Sequence, residues 1–279
     1  METRILSDVL GIEVTGFNAS QPLSATDKAR ILELFLKHHL IVVRDQNLST
    51  EQQAVFSENF GVLEGHILRQ HDGKIATPVH RLTNLGPDGK PTNKPIPVAN
   101  YFWHTDKSYY EVPSLTTLLH AIEIPPTGGD TQFANMHLAY DALTAERQSE
   151  LADLKVEHSW KASRRNAGEE PATEEEMRAR PAVSHPLVRT HPETARKSLY
   201  MGIHTSHILT KPEAKGRAFL DELTAHATQP KFIYTHEWRP GDLVLWDNRS
   251  LLHQAVANFG MAEHRRVLHR TVVRGTKPF

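Results

Sequence analysis

Gly241-Asp-Leu-Val-Leu-Trp-Asp-Asn-Arg-Ser-Leu-Leu-His253 reads as a turn, a short apolar strand, a second turn at Asp247-Asn248 and then a histidine. The run Leu243–Trp246 is too short for a helix and is bounded by turn residues, which makes it a buried strand. Leu40-Ile-Val-Val43 has the same character. It follows Ser24–His39, a helix that Ser24 can cap and that carries Ile31, Leu34 and Phe35 on one face. A second helix spans Ser49–Phe60, closed by Gly61. Further out, Leu115–Ile124, Ser198–Ile203, Phe232–Trp238 and Arg265–Val273 read as strands, Leu138–Lys155 as a helix, and Pro125–Asp130 as a turn cluster. Asn84–Pro97 is rich in glycine and proline without periodicity, an exposed loop and a candidate lid. No repeat and no linker divides the chain. The expectation is a single domain over 1–279, mainly β with flanking helices, carrying long loop insertions around 65–97 and 159–182.

Composition narrows the chemistry. The 279 residues contain no cysteine, which excludes disulfide scaffolds, thiolate-bound metals and thiol nucleophiles. Lys+Arg is 32 against 33 for Asp+Glu, so there is no charge footprint for nucleic acid or a membrane surface. The N-terminal stretch METRILSDVLGIEVTG carries acids and no long apolar run, unlike a signal peptide, and the cytoplasm is the expected location. There is no nucleophile elbow, no phosphate-binding glycine loop and no H-E-x-x-H. The 18 histidines invite a metal or proton-transfer site.

His104-Thr-Asp106 is the first place to look. On a strand, residues two apart share a face, so an imidazole and a carboxylate there can reach one ion. A further histidine would complete a two-His-one-carboxylate set with open positions for substrates on Fe(II). With 12 aspartates, roughly 0.8 such H-x-D triplets arise by chance, so the triplet needs company. His253 offers the second imidazole. In Arg265-Arg-Val-Leu-His-Arg270, Arg266 and Arg270 fall on one side of a strand, about 13 Å apart. That spacing suits two small anions near one metal, or equally a solvated edge strand. Pro126-Thr-Gly-Gly-Asp-Thr131, taken alone, is a hairpin turn.

These elements occur together, in this order, in one family. Through Asn100-Tyr-Phe-Trp-His-Thr-Asp106, Pro126–Thr131, His185-Pro-Leu-Val-Arg-Thr-His-Pro192, Trp246–His253 and Arg265–Arg270, the chain resembles the Fe(II)/2-oxoglutarate-dependent dioxygenases of the taurine dioxygenase type, from about Gly11 to Arg274. The resemblance implies a double-stranded β-helix, or jelly roll. It implies iron on His104, Asp106 and His253, and the distal carboxylate of 2-oxoglutarate on Thr131 and Arg266. Arg270 would face the acidic group of the substrate, with His66 at the family's substrate-anion position and Asn100 on the substrate side. Fe(II), 2-oxoglutarate and O2 are the implied cofactors, with succinate and CO2 as co-products.

Within the family, Phe60-Gly-Val-Leu-Glu-Gly65, Tyr140–Leu143, Met201–Ile208 and His226–Gln229 look like the phenoxyacetate-herbicide dioxygenases, which would bring His204 and His207 near the pocket. The implied substrate is a small anionic organic acid of aryloxyalkanoate type. A taurine-like sulfonate, a zinc hydrolase using the same triad, and a non-catalytic jelly-roll binding protein stand as alternatives. No nucleic-acid or membrane partner is expected, and a homo-oligomer, dimer or tetramer, is. Two positions depart from the pattern: Arg69 replaces an aromatic residue, and Lys107 stands where small residues are common.

Overall fold

Leu40-Ile-Val-Val43 is buried on both faces, and its alternation shows what covers each. Ile41 and Val43 pack with Ile31, Leu34, Phe35 and Phe56 of two helices. Leu40 and Val42 pack with Phe133, Trp246 and Leu268 in a second layer. Leu243-Val-Leu-Trp246 repeats the pattern: Leu243 and Leu245 face the helices, Val244 and Trp246 the other side. A strand with two apolar faces belongs in the middle of a layered β structure.

The computed structural model describes residues 1–65, 78–93 and 98–279. Its strands are β1 Glu2–Ile5, β2 Ile12–Thr15, β3 Leu40–Val43, β4 His80–Thr83, β5 Ser114–Glu123, β6 Thr131–Asn135, β7 Lys155–His158, β8 Val183–Pro186, β9 Val188–Thr190, β10 Lys197–Leu199, β11 Thr205–Ile208, β12 Ile233–His236, β13 Leu243–Asp247, β14 Leu251–Ala255 and β15 Val267–Arg274. The large sheet runs β1-β2-β3-β13-β5-β15-β4, and a smaller sheet runs β12-β6-β14. Val244, Trp246 and Leu268 of the first and Phe133, Leu251 and Tyr234 of the second form the layer between them. This is the expected jelly roll. Helices α1 Ala25–His38 and α2 Thr50–Ser57 close the outer face of the large sheet, each started by a serine side chain, Ser24 and Ser49. A third layer gathers β7 to β11 and the helix Glu213–Ala227 around Leu187, Leu199 and Leu220.

Several expectations change. Leu138–Lys155 is not one helix. The chain turns after Met136–Asp141, Thr144 caps a new helix at Ala145–Leu151, and Lys155 already belongs to β7. The insertion at 159–182 holds two short helices, Trp160–Asn166 and Glu174–Ala179. Strands β6 and β14 were hidden because their five-residue patterns mix polar and apolar groups where one end meets the site. His104 and Asp106 do not lie on a strand. His104 makes a single antiparallel bridge with His253, and a turn follows. The loop from Asn84 is described to residue 93. It is a turn closed by Gly86 and Lys90, anchored by the Asn84 amide on the carbonyls of Met261 and His264.

Candidate metal and co-substrate site

The bridge between His104 and His253 is the start of the site. Each backbone N–H donates to the other residue's carbonyl, at 3.0 and 2.8 Å, and this sets the two imidazoles side by side with ring centroids 4.0 Å apart. The chain then turns, and Asp106 comes beneath them. One donor atom from each of His104, Asp106 and His253 lies within 4.8 Å of the others, and all three residues are buried.

The donor set fits a divalent metal by its unused valences. His104 Nδ1–H donates to the Phe102 carbonyl at 2.7 Å, so the Nε2 lone pair is available. His104 Nε2 and His253 Nε2 stand 3.8 and 3.9 Å from the two Asp106 oxygens, too far for hydrogen bonds and far enough for an ion between them. Packing against Trp246 and Phe133 holds the His253 ring, whose Nδ1 is buried without a partner among the described residues. Burial keeps both imidazoles neutral, their pKa lowered despite the nearby carboxylate. Burial pushes the Asp106 carboxyl up, but Arg270, His253 and His104 outweigh it and hold the group ionised.

Sequence reasoning missed the support beneath Asp106. The Thr117 hydroxyl donates to Asp106 Oδ2. The Asn248 amide donates to Thr117 at 3.1 Å, while its Oδ1 accepts from the Asp106 N–H and from Trp246 Nε1. Asn248 was visible inside the Trp-Asp-Asn motif. Thr117 sits on β5 with no local signal at all.

The co-substrate side is equally built. Arg266 precedes β15 rather than lying in it, yet it lines the same cavity as the triad, Thr131, Asn100 and Arg270. Its Nε donates to the Gly129 carbonyl at 3.0 Å, and the Asn84 side chain holds its backbone N–H. Here the Thr-Gly-Gly-Asp turn finds its purpose. Gly128 and Gly129 are both at φ 73°; a Cβ on Gly129 would meet Arg266 at 3.2 Å, and one on Gly128 would strike the Asn258 carbonyl at 2.2 Å. Arg266 makes no salt bridge among the described residues. Burial lowers its pKa to about 10, with Tyr101 and Asp130 opposing. The cation is therefore intact near neutrality. Thr131 Oγ accepts from Trp238 Nε1 at 3.0 Å, which leaves its own proton for an acceptor in the cavity. Trp238 carried no functional signal in the sequence.

The substrate-side expectations divide. Arg270 points at the metal site, its Nη2 3.2 Å from Asp106 Oδ1 and its Nε buried without a partner among the described residues. Asn100 lines the cavity from the short turn Val98–Tyr101. His204 does not line it. It packs edge-on behind His104, with Tyr109 on its other side, and burial lowers its pKa to about 3. His207 bonds Ser206. His66 and Arg69 lie outside the described residues.

Comparison with known proteins agrees with this geometry. The profile described as "Taurine catabolism dioxygenase TauD, TfdA family" matches residues 2–272. An alpha-ketoglutarate-dependent 2,4-dichlorophenoxyacetate dioxygenase of Cupriavidus pinatubonensis is 39% identical over 249 residues, covering 86% of this chain and 87% of its own. A (S)-phenoxypropionate/alpha-ketoglutarate-dioxygenase of Sphingobium herbicidovorans is 34% identical over 283 residues, covering 96% and 93%. The crystal structure of AAD-2 in complex with Mn(II) and N-oxalylglycine superposes with a TM-score of 0.89 at 36% identity, over 99% of both chains. The chain therefore belongs to the TauD, TfdA family and is a 2-oxoglutarate-dependent dioxygenase.

Proposed function

We propose that the protein hydroxylates a small anionic organic acid of aryloxyalkanoate type, with iron on His104, Asp106 and His253, 2-oxoglutarate on Arg266 and Thr131, and the substrate acid on Arg270 and Asn100. The observation that carries the reading is the cavity itself: three converging metal donors, a half-buried arginine without a salt bridge among the described residues on one side, and a second arginine on the other. Fe(II), 2-oxoglutarate and dioxygen together supply the oxidation, with succinate and carbon dioxide as co-products.

The chain's residues supply position. With Nε committed to Gly129, Arg266 keeps both terminal nitrogens for a carboxylate, and Thr131 adds a hydroxyl donor. Arg270 fixes the substrate's acid group close to Asp106, so the carbon next to that acid is the one presented to the metal. When that carbon also carries an aryl ether oxygen, its hydroxylation product collapses to a phenol and the corresponding 2-oxo acid, glyoxylate in the case of an aryloxyacetate. Leu82, Leu119 and Leu268 keep the cavity wall apolar and restrict water. We take the chain as one dioxygenase domain acting in the cytoplasm as a homo-oligomer; no helix among the described residues is long and apolar enough to cross a membrane.

The test is anaerobic addition of Fe(II) and 2-oxoglutarate, followed by the charge-transfer absorption of the chelate. Aryloxyacetates, aryloxypropionates and taurine-like sulfonates are then screened for oxygen uptake coupled to succinate. Coupled turnover of an aryloxy acid is expected. Coupling with sulfonates alone replaces the substrate assignment, and absence of the absorption overturns the metal and co-substrate roles.

A further inference from the structure

Lys107 follows Asp106 directly, and its φ is 58°, in the left-handed region that favours glycine. A strained side chain persists only where its surroundings hold it. We propose that Lys107 and Glu64 form a positioning pair for the Asp106 carboxylate, an inference that rests on the reading of Asp106 as a metal ligand.

The Lys107 ammonium is ion-paired with the Glu64 carboxylate, and the two side chains are only 14% and 15% exposed, so the pair is shielded as a surface pair is not. Glu64 is itself anchored. Its backbone N–H donates to the Val272 carbonyl at 2.9 Å, and the Ser114 hydroxyl reaches its Oε1 at 3.4 Å. Val272 lies on β15, two residues beyond Arg270, whose guanidinium is on Asp106 Oδ1. One strand therefore grips the Asp106 turn twice: through Arg270 on the carboxylate, and through Glu64 and Lys107 on the backbone immediately after it. The Tyr110 N–H on the Lys107 carbonyl closes the turn, so the grip is transmitted to a compact unit. The Asp106 oxygens stand 3.8 and 3.9 Å from the two imidazoles, a spacing that small backbone shifts would spoil. Arg270 already occupies the substrate side, so Lys107 acts through Asp106 rather than on the substrate.

The experiment titrates Mn(II) into the full chain, reads free ion by electron paramagnetic resonance, and follows thermal unfolding in parallel. K107M and E64Q should each weaken Mn(II) binding about tenfold, the scale for groups that orient a metal ligand. E64Q/K107M should be no weaker than either single variant, because both remove one interaction. K107R should bind nearly as well as the parent. The decisive variant is K107G. Glycine relieves the left-handed backbone, so its melting temperature should hold or rise while Mn(II) binding falls. Mn(II) binding by K107G equal to the parent's, or losses that add in the double variant, overturns the inference alone. A parent chain that binds no Mn(II) overturns the metal-centre reading and this inference with it.

Discussion

Two buried aspartates each meet a histidine and an arginine. At Asp247, Arg249 donates through Nε and Nη2 at 2.8 and 2.7 Å, and His191 Nε2 adds a bond at 3.0 Å. Glu193 binds the far side of Arg249, so the guanidinium is held from both sides. At Asp106 the imidazoles stand back at 3.8 and 3.9 Å, and Arg270 approaches from one side only. Both carboxyls are held below their ordinary range despite burial, by the arginine and histidine beside them. Residue types and acidity do not distinguish the two clusters. The distances do: one cluster is closed on itself, and the other leaves lone pairs converging on a common point. The lesson is that a buried His/Asp/Arg group is a candidate metal site when its hydrogen bonds fail to close.

The comparison predicts opposite mutational signatures. His104→Ala, Asp106→Ala and His253→Ala should each abolish turnover and Mn(II) binding while the fold survives, because two ligands do not hold the metal geometry. Iron-loaded His253→Ala with near-parent activity would remove the contrast altogether. Asp247→Ala should instead destabilise the fold, losing about 3–5 kcal/mol in urea denaturation, because Arg249 keeps only Glu193 and the buried His191 Nε2 loses its acceptor. A chain that tolerates it as well as Asp106→Ala breaks the comparison from the other side.

Smaller effects sharpen it. Arg266→Ala should raise the 2-oxoglutarate KM about tenfold to a hundredfold, equivalent to roughly 1.5–3 kcal/mol for a lost charge-assisted contact. Arg270→Ala should chiefly raise the KM of the acidic substrate and increase uncoupled succinate formation, and lysine at either position should rescue only in part. Titrating each co-substrate against each variant checks the division; equal shifts in the 2-oxoglutarate constant alone reject it.

The smallest test concerns imidazoles near the closed cluster. Burial lowers the pKa of His39 to about 3 and that of His137 to about 4. Each is neutral in the folded chain, whereas its unfolded counterpart takes up a proton below about 6.5. Their stability contribution is complete above about pH 6.5 and is lost as pH falls toward the folded values, at about 1.4 kcal/mol per pH unit for each group. Unfolding free energies from pH 7 to 5 should fall less steeply in His137→Asn. An unchanged slope contradicts the assignment.

The sequence made the two-faced strands readable, since Leu40–Val43 and Leu243–Trp246 have no polar residue to mislead. It also picked out the three residues that converge as candidate metal ligands, through order and motif, although the expected strand geometry at His104 and Asp106 was wrong: a single bridge and a turn bring them together. Thr117 and Trp238 were invisible because each acts on a residue distant in the chain, and nothing local marks a hydroxyl or indole that will meet it. Asn248 lay in plain view within its motif, but its side-chain hydrogen bonds to Thr117 and the Asp106 turn form only when β5, β13 and that turn assemble. Lys107 stood out by being odd, and only its left-handed backbone and its contact with Glu64 show why.

The proposed role of Arg266 also links co-substrate chemistry to folding. A half-buried guanidinium with no salt bridge among the described residues is a cost carried by the folded chain, which an incoming carboxylate would relieve. A dicarboxylate that binds only the native state adds RT ln(1 + [L]/Kd) to its stability, about 2.7 kcal/mol at a hundred times Kd. On the proposed placement of 2-oxoglutarate at Arg266, its concentration would set how much of the chain stays native as well as how fast it turns over, and a cell short of that metabolite would hold less of the protein in its folded form.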